Sequence, residues 1–168
     1  PSTRLTVRSQ RAARRGSWVT TTKVVPRSHN STRSFPTAAE AAATWLAQEP
    51  VSAIYSSDLM RAFETAQAIA QHHTQTTSLR VVPHLGLRER HFGHLQGKTW
   101  HEIETDHPED AKLWRGRDPH WSPVEGESLT ALRERIAACV NELAHAHVGE
   151  QIVLVAHGGV MDALYRLA

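Results

Sequence analysis

Gln151-Ile-Val-Leu-Val-Ala-His157-Gly-Gly-Val160 decides how the rest of the chain is read. Ile152 to Val155 is an unbroken apolar run rich in β-branched residues, the pattern of a strand buried on both faces of a parallel sheet. Ala156 narrows the exit from that strand and His157 stands at its carboxyl end. Gly158-Gly159 then open a segment, Val160-Met-Asp-Ala-Leu-Tyr-Arg-Leu, of helical character. This order puts an imidazole where backbone N–H groups and the positive end of a helix converge, a place that receives phosphate-like anions. An ordinary strand-to-helix turn with an incidental His has the same pattern, so the stretch alone leaves both readings open.

Upstream of that strand, Ser128 caps a long helix whose apolar positions Leu129, Leu132, Ile136, Val140 and Leu143 recur every three or four residues, and Gly149 stops it. Pro119 to Gly126 is a turn-rich loop. Thr99 to Asp106 and Glu109 to Trp114 read as short helices split by Pro108, and Leu85 to Gly97 as a charged loop. Leu79-Arg-Val-Val82, closed by Pro83, is a short strand, and Val51 to Ser57 is another that leads into Asp58. From Leu59 a helix carries Leu59, Phe63, Ala66 and Ala70 on one stripe and ends near His72-His73. Thr37 to Glu49 has high helix propensity, and Pro50 follows its end. Strands alternating with helices predict an α/β fold, a three-layer sandwich with a mostly parallel central sheet and helices on both faces. In such a sheet the chemistry gathers at the carboxyl ends of the strands.

The length of 168 residues suits one domain with a sizeable core. No apolar run is long enough to span a bilayer, so no membrane association is expected. The single cysteine, Cys139, lies in a helical pattern among apolar neighbours, which fits a reducing, cytoplasmic setting. A net charge of +2 conceals a sharp asymmetry. Residues 1–35 hold eight Lys/Arg and no acidic residue, leaving eleven basic against all 17 acidic residues in 36–168. Residues 1–35 therefore form a basic, irregular amino end, with a weakly signalled first strand over 4–8, and residues 36–168 form the α/β domain. From Ser9 to Phe35 neither period 2 nor period 3.6 is present. Three readings stay open: a basic arm for nucleic acid or acidic surfaces, an organelle transit segment, or a stretch outside the natural reading frame.

The strand carrying Ile54 ends in Ser56-Ser57-Asp58-Leu59-Met60-Arg61, which puts Arg61 in the first turn of its helix near the rim of the sheet. Taken alone, Arg61 is a solvated helix residue. The strand ending at Val82 leads to Arg88-Glu89-Arg90, which taken alone is a surface salt-bridge cluster, nearly neutral in energy. An Arg to clamp a phosphoryl group, a carboxylic acid, and His157 at a helix start together point to phosphoryl chemistry. His91 with His94, and His145 with His147, could indicate a metal. Nothing in the sequence supplies the remaining ligands, so no metal site is expected.

Ser56-Ser-Asp-Leu-Met-Arg61-Ala-Phe-Glu-Thr65-Ala, Leu87-Arg-Glu89-Arg-His-Phe-Gly93-His-Leu-Gln-Gly97, Gly126-Glu-Ser128 and Val155-Ala-His157-Gly-Gly resemble, in this order, the histidine phosphatase superfamily, the phosphoglycerate-mutase-like group, and within it the smaller phosphatase members. The resemblance runs from about residue 37 to 168. It implies phosphomonoester hydrolysis, or phosphoglycerate-type phosphoryl transfer, through a phosphohistidine on a small phosphorylated metabolite, with no metal or organic cofactor. By the same resemblance Arg8 and Arg61 bind the phosphoryl oxygens. Glu89 protonates the leaving oxygen and later activates water, and His157 donates to the phosphoryl group in the transition state. The short loop between Val82 and Glu89 favours a phosphatase over a dedicated mutase.

The resemblance fails at the amino end. Where the family has Arg-His-Gly-Glu, with the His as nucleophile, this chain reads Arg8-Ser9-Gln10-Arg11, so Ser9 stands at the position of the nucleophilic His. The spacing from Ser9 to Arg61 is similar to the family's own. A scrambled stretch of kept length, with an abrupt loss of acidic residues, is what two compensating frameshifts leave. An evolved pseudophosphatase that binds phosphoesters without turnover is the alternative, and a basic-arm nucleic-acid binder rests on residues 1–35 alone. His29 is a conceivable substitute nucleophile, but it stands 20 residues late and without a strand before it. The chain also stops inside the helix after His157, where the resemblance leads one to expect further sheet, and so reads as a fragment.

Overall fold

The structure, a computed structural model, describes residues 6–7, 19–21, 38–73 and 79–167. Its strands are β1 (Thr6–Val7), β2 (Val19–Thr21), β3 (Ala53–Ser56), β4 (Val81–Pro83) and β5 (Ile152–Val155). Its helices are α1 (Ala38–Leu46), α2 (Met60–His72), α3 (Trp100–Asp106), α4 (Pro108–Gly116), α5 (Leu129–Ala146) and α6 (Gly158–Leu167). Two 3-10 turns, Leu85–Leu87 and Gly93–Leu95, break up the charged loop that precedes α3.

The five strands lie in the order β1-β2-β5-β3-β4. β5 is central. It runs parallel to β3, with Ala53 opposite Ile152 and Ser56 opposite Val155, and parallel to β2, with Val19 opposite Val153. β4 continues the parallel set beyond β3, and only β1 is antiparallel. All four β5 residues are buried, and their side chains divide between two layers. Val153 and Val155 pack with Ile54, with Ala43 and Leu46 of α1, and with Ala62, Ala66 and Ile69 of α2. Ile152 and Leu154 pack on the opposite face with Leu87, Cys139 and Leu143. α6 closes against α5 through Val160, Ala163, Leu132 and Ile136. Each fully buried aliphatic side chain of this kind contributes about 1.5–3 kcal/mol, which makes β5 the keystone of the sandwich. The three-layer α/β architecture read from the sequence is the one observed.

The details differ in instructive ways. The buried stripe of α2 is Ala62, Ala66 and Ile69; of the expected Leu59, Phe63, Ala66 and Ala70, Ala66 is buried, Ala70 packs partly buried beside it, and the helix starts at Met60, after Leu59. On α5, Cys139 takes the buried position expected for Val140, and burial pushes its thiol up to about 11. Pro83 ends β4 rather than following it. β4 is an edge strand, where a missing N–H breaks no ladder bond. The two glycines lie inside the first turn of α6 instead of ahead of it. β1 falls within the strand expected over 4–8, but it hangs on the outside of the sheet. Its inner neighbour β2 arises from the stretch in which no period was legible, since a run of three residues is too short to show one. Among the described residues no helix is long and apolar enough to cross a membrane.

Candidate active site

β3 and β5 are parallel and in register, so their carboxyl ends deliver Ser57 and His157 to the same edge of the sheet. Both side chains are buried, at 0% and 6% exposure, and the imidazole Nε2 lies 2.8 Å from the Ser57 hydroxyl. That hydroxyl also accepts from the Leu59 N–H at 3.3 Å, which fixes the turn leading into α2. Arg61, exposed in the first turn of α2, is near enough to act on His157 by charge. Burial first, and then the positive charge of Arg61, hold the imidazole below its ordinary value of 6.5, against smaller opposing pulls from Glu89 and Asp58. The buried ring therefore favours its neutral form, with Nε2 engaged by the Ser57 hydroxyl.

Glu89 completes the cluster. One carboxylate oxygen accepts from the Arg90 N–H at 2.9 Å, and the other accepts from the Gly159 N–H at 3.2 Å, in the first turn of α6. The anion at this helix start is thus the chain's own carboxylate, held by an unpaired amide and the helix dipole. The approach is close: a Cβ on Gly159 would stand 2.3 Å from Glu89 Oε1, so only glycine leaves the carboxylate in place.

The two guanidinium groups flanking Glu89 point elsewhere and brace the loop. Arg88 forms a bidentate pair with Asp58, its Nε 2.7 Å from Oδ1, and the pair holds the Asp58 carboxyl below the usual carboxylate range. Arg90 is buried, donates to the Glu127 carbonyl at 2.7 Å, and stands 5.5 Å over the rings of both Phe92 and Trp121. Arg135 of α5 grips the Glu127 carboxylate with two bonds of 2.8 Å and also donates to the carbonyls of Gly86 and Arg88. The Glu89 loop is consequently tied to α5, to the segment before it and to the turn after β3.

A cavity of about 580 Å³ opens beside Glu89 and Gly159, walled by Trp114, Trp121, Arg117 and Arg133. Neither Arg61 nor His157 lines it. Glu89 therefore stands between the buried His157–Ser57 pair and a roomy, partly aromatic and partly cationic chamber.

Of the residues singled out in the sequence, Arg61, Glu89 and His157 converge. Arg8, Ser9 and His29 lie outside the described residues. Ser57, Asp58 and Gly159 were not assigned roles. Their sole sequence signal is their place at strand ends and helix starts, inside the quoted motifs. His145 and His147 do not form a ligand pair: His145 bonds back to the Asn141 carbonyl, and His147 joins Tyr55 and Glu150.

The family model for the histidine phosphatase superfamily (branch 1) matches residues 37–168. Over 122 residues the chain is 41% identical to phosphoglycerate mutase-like protein 4 of Arabidopsis thaliana, covering 72% of this chain and 52% of that protein. It is 38% identical over 133 residues to glucosyl-3-phosphoglycerate phosphatase of Mycolicibacterium vanbaalenii, covering 75% of this chain and 57% of that one. The solved native structure of a mycobacterial glucosyl-3-phosphoglycerate phosphatase superposes with a TM-score of 0.68 at 36% identity, covering 77% of this chain and 62% of that chain. The chain spans about half the length of the curated relatives it matches.

Proposed function

The chain belongs to the histidine phosphatase superfamily (branch 1), and from that membership we propose that its sheet edge is a site for the phosphoryl group of a small phosphorylated metabolite. The observation that carries this reading is the convergence on His157 of the Ser57 hydroxyl, the Arg61 charge and the Glu89 carboxylate. In the proposed roles, Arg61 holds phosphoryl oxygens and the neutral His157 donates its N–H to them, while Glu89 exchanges the proton of the leaving oxygen. Both N–H groups on Glu89 fix its direction, which spares its carboxyl a search through rotamers in the proposed role.

The chamber next to Glu89 would take the alcohol part of the ester. Indole faces from Trp114 and Trp121, with the guanidinium group of Arg133 beside the Arg117–Asp162 ion pair, suit an alcohol with a flat or ring-shaped body and a second anionic group. Such a substrate favours phosphatase chemistry on a metabolite larger than phosphoglycerate itself. A cytoplasmic setting belongs to the same proposal, supported by the buried thiol of Cys139.

Turnover requires a nucleophile, and from the likeness of Arg8-Ser9-Gln10-Arg11 to the family motif we infer that Ser9 stands where the family has His. A Ser hydroxyl with no adjacent base is a poor nucleophile. The chain as written is therefore proposed to bind phosphate esters while hydrolysing them at background rate. Calorimetric titration with inorganic phosphate and with 3-phosphoglycerate tests this on the full chain. Saturable binding is expected, weakened roughly 10- to 100-fold in Arg61→Ala, the equivalent of losing one charge-assisted bond. Absence of binding, or binding indifferent to Arg61→Ala and His157→Ala, would reject the site.

A further inference from the structure

His94 comes from the 3-10 turn Gly93–Leu95, while His107 and Asp110, three residues apart, come from the N-cap and the first turn of α4. The structure gathers one donor atom from each within 4.8 Å of the other two. His94 Nε2 lies 3.0 Å from Asp110 Oδ2, and the His94 and His107 rings stand edge to face with centroids 5.0 Å apart. We propose that this trio is a binding site for one divalent zinc-class cation, with two imidazoles and one carboxylate as ligands and the fourth tetrahedral position left to water.

Four observations support the assignment. The donor set is right for the metal: zinc takes imidazole nitrogen and carboxylate oxygen, and the three donor atoms already lie within 4.8 Å of one another. His94 also has the companion bond expected of a ligating imidazole. Its Nδ1 faces the Val124 carbonyl at 3.4 Å, which leaves Nε2 directed at Asp110 and the ligand position. The backbone around it is fixed, since the His94 N–H donates to the same Val124 carbonyl at 3.1 Å. Gly93, at φ +51°, passes so near that a Cβ would stand 1.9 Å from that oxygen. Finally, the segment has a reason to need a staple. Its own core consists of Leu95, Ile103 and Ala111, packed by Phe92, Trp114 and Trp121, and so small a core holds three short elements only weakly.

The sequence expectation of no metal rested on the pairs His91–His94 and His145–His147. The fold separates His94 from His91, whose Nδ1 instead accepts from the Gly93 N–H at 3.2 Å, and supplies the missing ligands from α3–α4. None of the three lines the cavity beside Glu89, so the ion would brace the segment over the site without touching the phosphoryl group.

Zinc content and affinity of the full chain, measured by metal analysis after dialysis and by competition with a chromogenic chelator, test this directly. One zinc per chain is expected. His94→Gln, His107→Gln and Asp110→Asn should each weaken binding on the order of 100-fold or more, while His91→Gln and His101→Gln leave it unchanged. His107→Cys supplies a different ligand at the same place. In its Co²⁺ form it should keep tetrahedral d–d bands and gain a thiolate charge-transfer band, a signature that a merely structural His107 would not produce. Retention of fold in each variant is checked by circular dichroism without metal. Failure of the parent chain to retain zinc, equal retention in all variants, or loss with His91→Gln in place of His94→Gln would each overturn the site.

Discussion

The His157 imidazole and the Ser57 hydroxyl, a hundred residues apart in the chain, meet at 2.8 Å with both side chains buried. Their bond links the ends of two neighbouring parallel strands.

Ser57→Ala should therefore cost more than a surface hydroxyl would. Its removal leaves the His157 Nε2 and the Leu59 N–H without their acceptor or donor, and an unsatisfied buried polar group costs about 1–3 kcal/mol. Urea denaturation of Ser57→Ala against the parent measures it. A loss below about 0.5 kcal/mol would mean that the pair is not a standing bond in solution.

The depressed proton affinity of His157 has a signed consequence for stability. Below its ordinary value of 6.5 the unfolded chain binds a proton that the folded chain refuses, so acid favours unfolding there. Stability contributed by this residue is complete above about pH 6.5 and declines as the pH falls toward the lowered folded value. Asp58, held low by Arg88, adds loss in the same direction at more acidic pH. Subtracting the stability–pH curve of His157→Gln isolates the His157 share. A difference curve that is flat between pH 5 and pH 7, or that rises toward acid, would contradict the assignment.

The charges around His157 should be separable by NMR titration of its ring. Arg61→Ala removes the neighbouring cation and is expected to raise the proton affinity. Glu89→Gln removes an anion and is expected to lower it. Gly159→Ala should mimic Glu89→Gln in direction, because the new methyl displaces the carboxylate from the start of α6 without altering any charge. Equal values in all three variants would show that these side chains do not share a site.

Restoring the family motif in place should not restore catalysis. Ser9→His with Gln10→Gly and Arg11→Glu rebuilds the nucleophile sequence directly after β1, but β1 lies outside β2, two strand positions from β5. That is one strand spacing, roughly 5 Å, outside the sheet position next to β5, and β1 runs antiparallel to β2, so its carboxyl end faces the sheet edge opposite His157. Hydrolysis of p-nitrophenyl phosphate by this triple variant is expected to stay at background. Turnover at rates above background would place the first strand elsewhere and revive Ser9 as the nucleophile's true address.

The elements that bury a regular face were legible in advance. α5 announced itself by its Ser128 cap and apolar spacing, and β5 by four successive apolar residues; both occupy the predicted places within a residue or two. The sites within them were legible only as candidates. Glu89 could be singled out, but its partner could not, because the Gly159 N–H reaches it across 70 residues of chain. Cys139 and Val140 stand about 100° apart around the helix, and packing under Leu87 and Ile152 buries Cys139 fully while Val140 stays half-buried at the margin. β2 was invisible because threonine-rich triplets carry no period, and the His94–His107–Asp110 trio because the turn Gly93–Leu95 must fold against the start of α4 before it exists.

The central place of β5 also governs the order in which this molecule can be made. β3 leaves the ribosome about a hundred residues before the strand that must lie against it. At about 5–20 residues per second, the apolar undersides of α1 and α2 wait roughly 5–20 s for Val153 and Val155. During that interval the nascent chain presents a half-built sheet with an open inner edge, the kind of surface that holdase chaperones recognise and that unprotected chains use to find one another.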